Sequence, residues 1–97
     1  MAKRLFGADY ANFESVTVAA SSTSLTSATY GDAQFAFITV ETAAVRFTVD
    51  GTTVSASVGH VLEPGDSLML DRNSQIAEVR FYRRDGVSAT LRVSYGT

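Results

Sequence analysis

"QFAFITVE", residues 34–41, is the stretch whose reading decides the fold. Apolar residues stand on both faces of a period-two pattern, Phe35 and Phe37 on one, Ala36, Ile38 and Val40 on the other. A strand apolar on both faces is either central in its sheet or covered by something beyond it. The same period runs outward from it. "FESVTVAA" (13–20) alternates through Val16, Val18 and Ala20, and "AVRFTV" (44–49), "TVSASV" (53–58), "SLMLD" (67–71), "IAEVRFY" (76–82) and "VSATLRVSY" (87–95) follow. With a weaker "TSLTSATY" (23–30), the chain reads as about eight short antiparallel strands separated by turn signals, the spacing of a sandwich or jelly roll. The fold class is all-β: a small β-sandwich or jelly-roll-like barrel with an extended N-terminal arm. The arm is assigned to residues 1–14 and the single sandwich domain to 15–97. The Ser/Thr-rich stretch 19–32 reads equally well as a loop.

Turn chemistry adds register. "EPGD" (63–66) has proline where a type II turn wants its fixed φ and glycine where that turn needs a positive one. Two Asp-Gly pairs mark expected hairpins. A two-residue type I′ loop at Asp50-Gly51 sets Val49 opposite Thr52, Phe47 opposite Val54 and Val45 opposite Ala56, with all apolar residues on one face. At Asp85-Gly86 the same loop would mix core with surface. A three-residue loop, Arg84-Asp85-Gly86 with Gly86 left-handed in a bulge, instead sets Phe81 opposite Ala89 and Val79 opposite Leu91. It also predicts a cross-strand ion pair between Glu78 and Arg92.

Composition bounds the function. Ninety-seven residues make one domain, since so short a chain buries only about 60 to 65% of its unfolded surface. There is no cysteine for a disulfide framework and a single histidine, His60, where a zinc site needs three or four donors. Of the usual staples for a small fold, oligomerisation remains, so a homo-oligomer is expected. A net charge of -2 gives no basic footprint for nucleic acid. No segment approaches the roughly 18 apolar residues of a membrane helix, so no membrane partner is expected.

Candidate chemistry is sparse. His60 is the only conventional base for the many serines and threonines, and the carboxylates are scattered, so no catalytic residue, cofactor or metal ligand is assigned. A minimal cupin-like site using His60 and Glu63 is the one enzymatic alternative, because "EPGD" resembles the Pro-Gly-Asp turns of cupins. The arm "KRLFGADYANF" (3–13) carries Leu5, Phe6, Tyr10 and Phe13 at no regular period; these are candidate partner anchors. "RFYRRDG" (80–86) adds Arg80 and Tyr82, residue types favoured at protein interfaces. Tyr82 and Tyr30 are candidate stacking platforms for a glycan.

From Phe35 to Tyr95 the chain resembles the small β-sandwich virion proteins of tailed bacteriophages. The likeness rests on "ITVETAAVRFTVDGTTVSASVGHVLEPGDSLMLD" (38–71), the arginine-bearing strand after it, and the closing "SATLRVSYGT" (88–97). The resemblance implies a compact sandwich seated on a larger shell or tube, with a terminal arm touching its neighbours. It implies a non-enzymatic structural protein, made in the host cytoplasm and located in the virion, that decorates or cements the head through contacts with the major capsid protein. A tail, collar or fibre-attachment protein, or a glycan-binding adsorption module, is the alternative.

Overall fold

The computed structural model describes residues 4–5 and 8–97, with side chains from Asp9 onward. Eight strands and two short helices occur among them: β1 (Arg4–Leu5), β2 (Ala8–Val18), α1 (Ser27–Tyr30), β3 (Phe35–Glu41), β4 (Val45–Thr48), β5 (His60–Leu62), β6 (Ser67–Leu70), α2 (Asn73–Glu78), β7 (Arg80–Arg83) and β8 (Ala89–Gly96). They form two antiparallel sheets, a large one in the order β1-β2-β8-β3-β6 and a small one in the order β5-β4-β7. The chain is an all-β sandwich.

From β3 to β8 the chain changes sheet at almost every connection, as a jelly roll does. The fourth strand of the small sheet is reduced to one bridge, where Thr23 exchanges two 2.9 Å backbone bonds with Phe81. The weak "TSLTSATY" signal therefore splits into a bridge at Thr23 and the helix α1.

The period-two reading places the centre of the core correctly, while Ala20, Ala56 and Val87, which it also turned inward, are exposed. Val18, Ile38, Val40, Leu91, Val93 and Tyr95 of the large sheet face Val45, Phe47 and Phe81 of the small one, all buried. Burial of each such side chain contributes about 1.5–3 kcal/mol. β3 is central, between β8 and β6, with Ala36, Ile38 and Val40 buried and Phe35, Phe37 and Thr39 half-buried on the other face.

The turn "EPGD" forms as read: Gly65 has φ +93°, and Asp66 N–H donates to Glu63 O at 2.9 Å. The Asp66 carboxylate accepts the Glu63 N–H at 2.8 Å, which closes the turn from both sides. It carries the chain from β5 in one sheet to β6 in the other.

Both Asp-Gly hairpins are corrected. A type I′ turn needs positive φ at both central residues, yet Gly51 has φ +85° while Thr42 is the one non-glycine with positive φ among the described residues. The Asp50 carboxylate instead accepts the Thr52 N–H at 3.0 Å, and hydrogen bonds from Thr52 hold it below the usual carboxylate range. Residues 52–59 then fold back as a loop pinned by Arg46, whose guanidinium donates to Ala56 O at 2.8 Å and Gly59 O at 2.9 Å. The partner of β4 is β5, with Val45 opposite Leu62 and Phe47 opposite His60. Gly59 permits this return: its φ is +127°, and a Cβ there would lie 2.9 Å from Phe47 O.

At Asp85-Gly86 no hairpin forms, because β7 pairs with β4 in the small sheet while β8 lies between β2 and β3 in the large one. Gly86 is not left-handed. Phe81 and Leu91 both point inward, as their period demands, but from opposite sheets. Periodicity reveals which way a residue faces and not which sheet carries it. Glu78 ends α2, and Arg92 pairs with Glu41 at 3.2 Å instead. The stretch "IAEVRFY" is likewise divided, Ile76 to Glu78 being helical and Arg80 onward extended.

The boundary drawn at residue 14 falls inside β2. Residues 10 and 12–18 pair with β8, from Tyr10 opposite Gly96 to Val18 opposite Ala89, with a bulge between Tyr10 and Asn12.

Candidate functional site

Strand register assembles an apolar patch on the outward face of the large sheet. Phe13 of β2 lies opposite Ser94 of β8, Ser94 opposite Phe37 of β3, and Phe37 opposite Met69 of β6, one row across four strands. The next row toward the sheet's end sets Tyr10 opposite Gly96 and Gly96 opposite Phe35. The small residues Ser94 and Gly96 leave room between the flanking rings, and the Tyr10 hydroxyl reaches Met69 Sδ at 3.5 Å. Phe13 is 60% exposed, and Tyr10, Phe35, Phe37 and Met69 are half-buried. Partial burial pushes the Tyr10 phenol above its ordinary value.

The row on the other side is polar: Ser15, Arg92, Thr39 and Ser67. Arg92 donates to Ser15 Oγ at 2.6 Å and to Glu41 Oε1 at 3.2 Å. The face therefore has an apolar patch bordered on one side by a charged, hydrogen-bonded row.

The candidates named from sequence are distributed unevenly. Tyr10 and Phe13 lie on this face. Leu5 belongs to β1, opposite Ala8, and Phe6 falls outside the described residues. Arg80 and Tyr82 belong to β7, on the outward face of the small sheet, where Tyr82 lies opposite Arg46 and Arg80 opposite Thr48. Arg80 is spent locally, donating to Ala77 O and Val79 O, both at 2.8 Å, at the C-terminal end of α2. Phe35, Phe37 and Met69 were not among the candidates. Two-sided apolarity in "QFAFITVE" was the signal for the first two, whereas Met69 joins them only through register.

His60 and Glu63, the pair of the cupin-like alternative, have separate partners. The His60 ring packs on Phe47 with centroids 5.3 Å apart, and the Glu63 carboxylate pairs with Arg84. No group of three His, Asp or Glu side chains among the described residues could hold a metal ion. At one end of the sandwich, Tyr30 packs on Tyr95 with ring centroids 5.9 Å apart, beside a cleft of ≈ 300 Å³ reached by Asn12 and Asp32. The Tyr95 hydroxyl donates to Glu14, which also accepts the Thr26 N–H at 3.1 Å. Burial, with Glu14 adding to it, pushes the Tyr95 phenol far above its ordinary value. Tyr30 and Tyr82, paired as glycan platforms from sequence, lie apart, Tyr30 in α1 and Tyr82 on the small sheet.

Comparison with protein-family models, with curated proteins and with solved structures finds no match to this chain.

Proposed function

We propose that this chain is a structural, non-enzymatic subunit of a tailed-phage virion that decorates or stabilises the head by docking the outward face of its large sheet on other virion proteins. The observation that carries the proposal is the apolar patch of Tyr10, Phe13, Phe35, Phe37 and Met69, bordered on one side by Arg92, Glu41 and Ser15. Fold alone does not choose, since jelly rolls serve capsid proteins, lectins and cupins alike. A sandwich needs only one apolar face per sheet, and this sheet has two. The resemblance of residues 35–95 to small virion sandwich proteins supplies the setting.

Magnitudes favour many weak contacts over one strong one. A fully buried side chain of this size is worth about 1.5–3 kcal/mol, and these five are already partly covered. Their remaining contribution is about 5 kcal/mol, near the low end of the 4–15 kcal/mol that association costs. One copy alone would hold weakly, and firm attachment requires several contacts per assembly.

The test is co-sedimentation of tagged protein with phage particles from its source culture. Saturable binding at a fixed copy number supports the reading, with hundreds of copies marking the head and a small ring number marking tail or collar. Protein left entirely in the supernatant refutes it, and a glycan array then examines the adsorption alternative.

A further inference from the structure

We infer that two copies of this chain pair through β6, edge to edge about a two-fold axis at Met69, to make one continuous large sheet. This goes beyond the docking reading and stands or falls separately from it. Val40 N–H donates to Asp66 O at 3.2 Å, and Val40 O accepts the Gly65 N–H at 2.9 Å, so Val40 points its backbone groups toward β6. Backbone direction alternates along a strand, so Ile38 and Ala36 point the same way, toward their partners Leu68 and Leu70. Ser67 and Met69 therefore direct their N–H and C=O groups outward, along the open edge.

That edge is unguarded. β6 is the last strand of its sheet and contains no charge, proline or bulge, the usual devices against pairing. The edge of β7, by contrast, is capped by the bridge to Thr23. Beyond β6 lies an open groove of ≈ 550 Å³ lined by Phe47, His60, Leu62, Leu68 and Leu70, among others.

Charge fixes the occupant as a second copy and sets its register. Antiparallel pairing centred on Met69 puts Met69 opposite its own copy, Leu68 opposite Leu70, Ser67 opposite Asp71 and Asp66 opposite Arg72. Two opposite-charge pairs result, one at each end. Arg72 is exposed and extended, with φ −145° and ψ 143°, and its side chain has no ion pair among the described residues. Asp71 N–H now donates to Gln75 Oε1 at 3.2 Å, an exposed bond it can exchange for the Ser67 carbonyl. Leu68 and Leu70 meet over the groove, and the two outward apolar faces come to lie side by side.

Sedimentation equilibrium of the full chain tests this. The expected mass is twice the 10.4 kDa of one chain. Arg72→Glu sets like charges together and weakens the dimer roughly tenfold, whereas Arg72→Lys, which keeps the charge, leaves it nearly unchanged. Because the chain has no cysteine, Met69→Cys gives a clean second readout. The Cα atoms of a hydrogen-bonded antiparallel pair lie about 5.5 Å apart, within disulfide range. Oxidation should cross-link Met69→Cys and leave Val87→Cys, 54% exposed on a loop outside the interface, dimeric but without a covalent link. A wild-type chain that stays monomeric at high micromolar concentration overturns the inference. So does a dimer that is indifferent to Arg72→Glu and that Met69→Cys does not cross-link.

Discussion

The two sheets present alike inward faces and opposite outward ones. On the small sheet, Arg46, Tyr82 and Arg80 lie on the outer face, Thr48 beside them is buried and donates to Thr52 O at 2.7 Å, and the two arginines are turned onto backbone carbonyls of the molecule's own loop and helix. On the large sheet, Tyr10, Phe13, Phe35, Phe37 and Met69 face outward as one contiguous apolar patch. The small sheet spends its outer face on holding its own chain together. The large sheet carries on its outer face apolar side chains that its own core does not require. Folding and assembly should therefore be separable by mutation.

Arg46→Ala gives the largest folding effect of that division. It removes two charge-assisted hydrogen bonds that pin residues 52–59, and about 2–3 kcal/mol of stability should disappear from a denaturant melt. Attachment of the surviving folded protein to particles should be unchanged. Phe13→Ser is the converse. At 60% exposure it should shift stability by no more than about 0.5 kcal/mol, yet weaken attachment by about 2 kcal/mol, roughly thirty-fold in Kd. If both variants lost stability and attachment in proportion, the division of labour would be wrong.

A smaller effect sharpens the boundary between the sheets. The chain passes from β3 to β4 through a tight turn in which Ala43 N–H donates to Glu41 O at 3.0 Å, forcing Thr42 to φ +80°. A β-branched residue is strained there. Thr42→Gly should raise stability by about 1 kcal/mol in the same melt, and a loss instead would mean that the threonine side chain supports the corner.

The smallest effect is alkaline. Tyr95 has its phenol pKa raised in the folded protein by burial and by Glu14. Its contribution is complete below the unfolded value of about 10 and is lost as pH rises above it, because the unfolded chain releases the proton first. Wild-type stability should be flat through neutrality and decline above about pH 10, and Tyr95→Phe should decline less steeply. An equal decline would locate the alkaline transition elsewhere.

The sequence disclosed facing far better than partnership. Val18, Ile38, Val45, Phe47, Leu91 and Val93 point inward as their period of two requires, and "EPGD" makes the turn that its proline and glycine demand. The pairing of strands did not follow from these signals. Asp50-Gly51 and Asp85-Gly86 both resemble hairpin turns, but the first is bent by the Asp50 carboxylate on Thr52 and the second spans the gap between sheets. Helix α2 hides inside an apolar run because Ile76 is the one residue it buries. For the candidate face, the unperiodic arm pointed to Tyr10 and Phe13, and the doubly apolar β3 pointed to Phe35 and Phe37. Only the register of β2, β8, β3 and β6 joins them. Met69 could not have been placed without it.

The most direct test of the docking face is hydroxyl-radical footprinting of the free chain against the chain bound to particles. The account predicts that Tyr10, Phe13, Phe37 and Met69 become protected on binding, while Tyr82 and Val87 are labelled as before. Protection of Tyr82 with Phe13 labelled at its free rate would contradict it and transfer the contact to the small sheet.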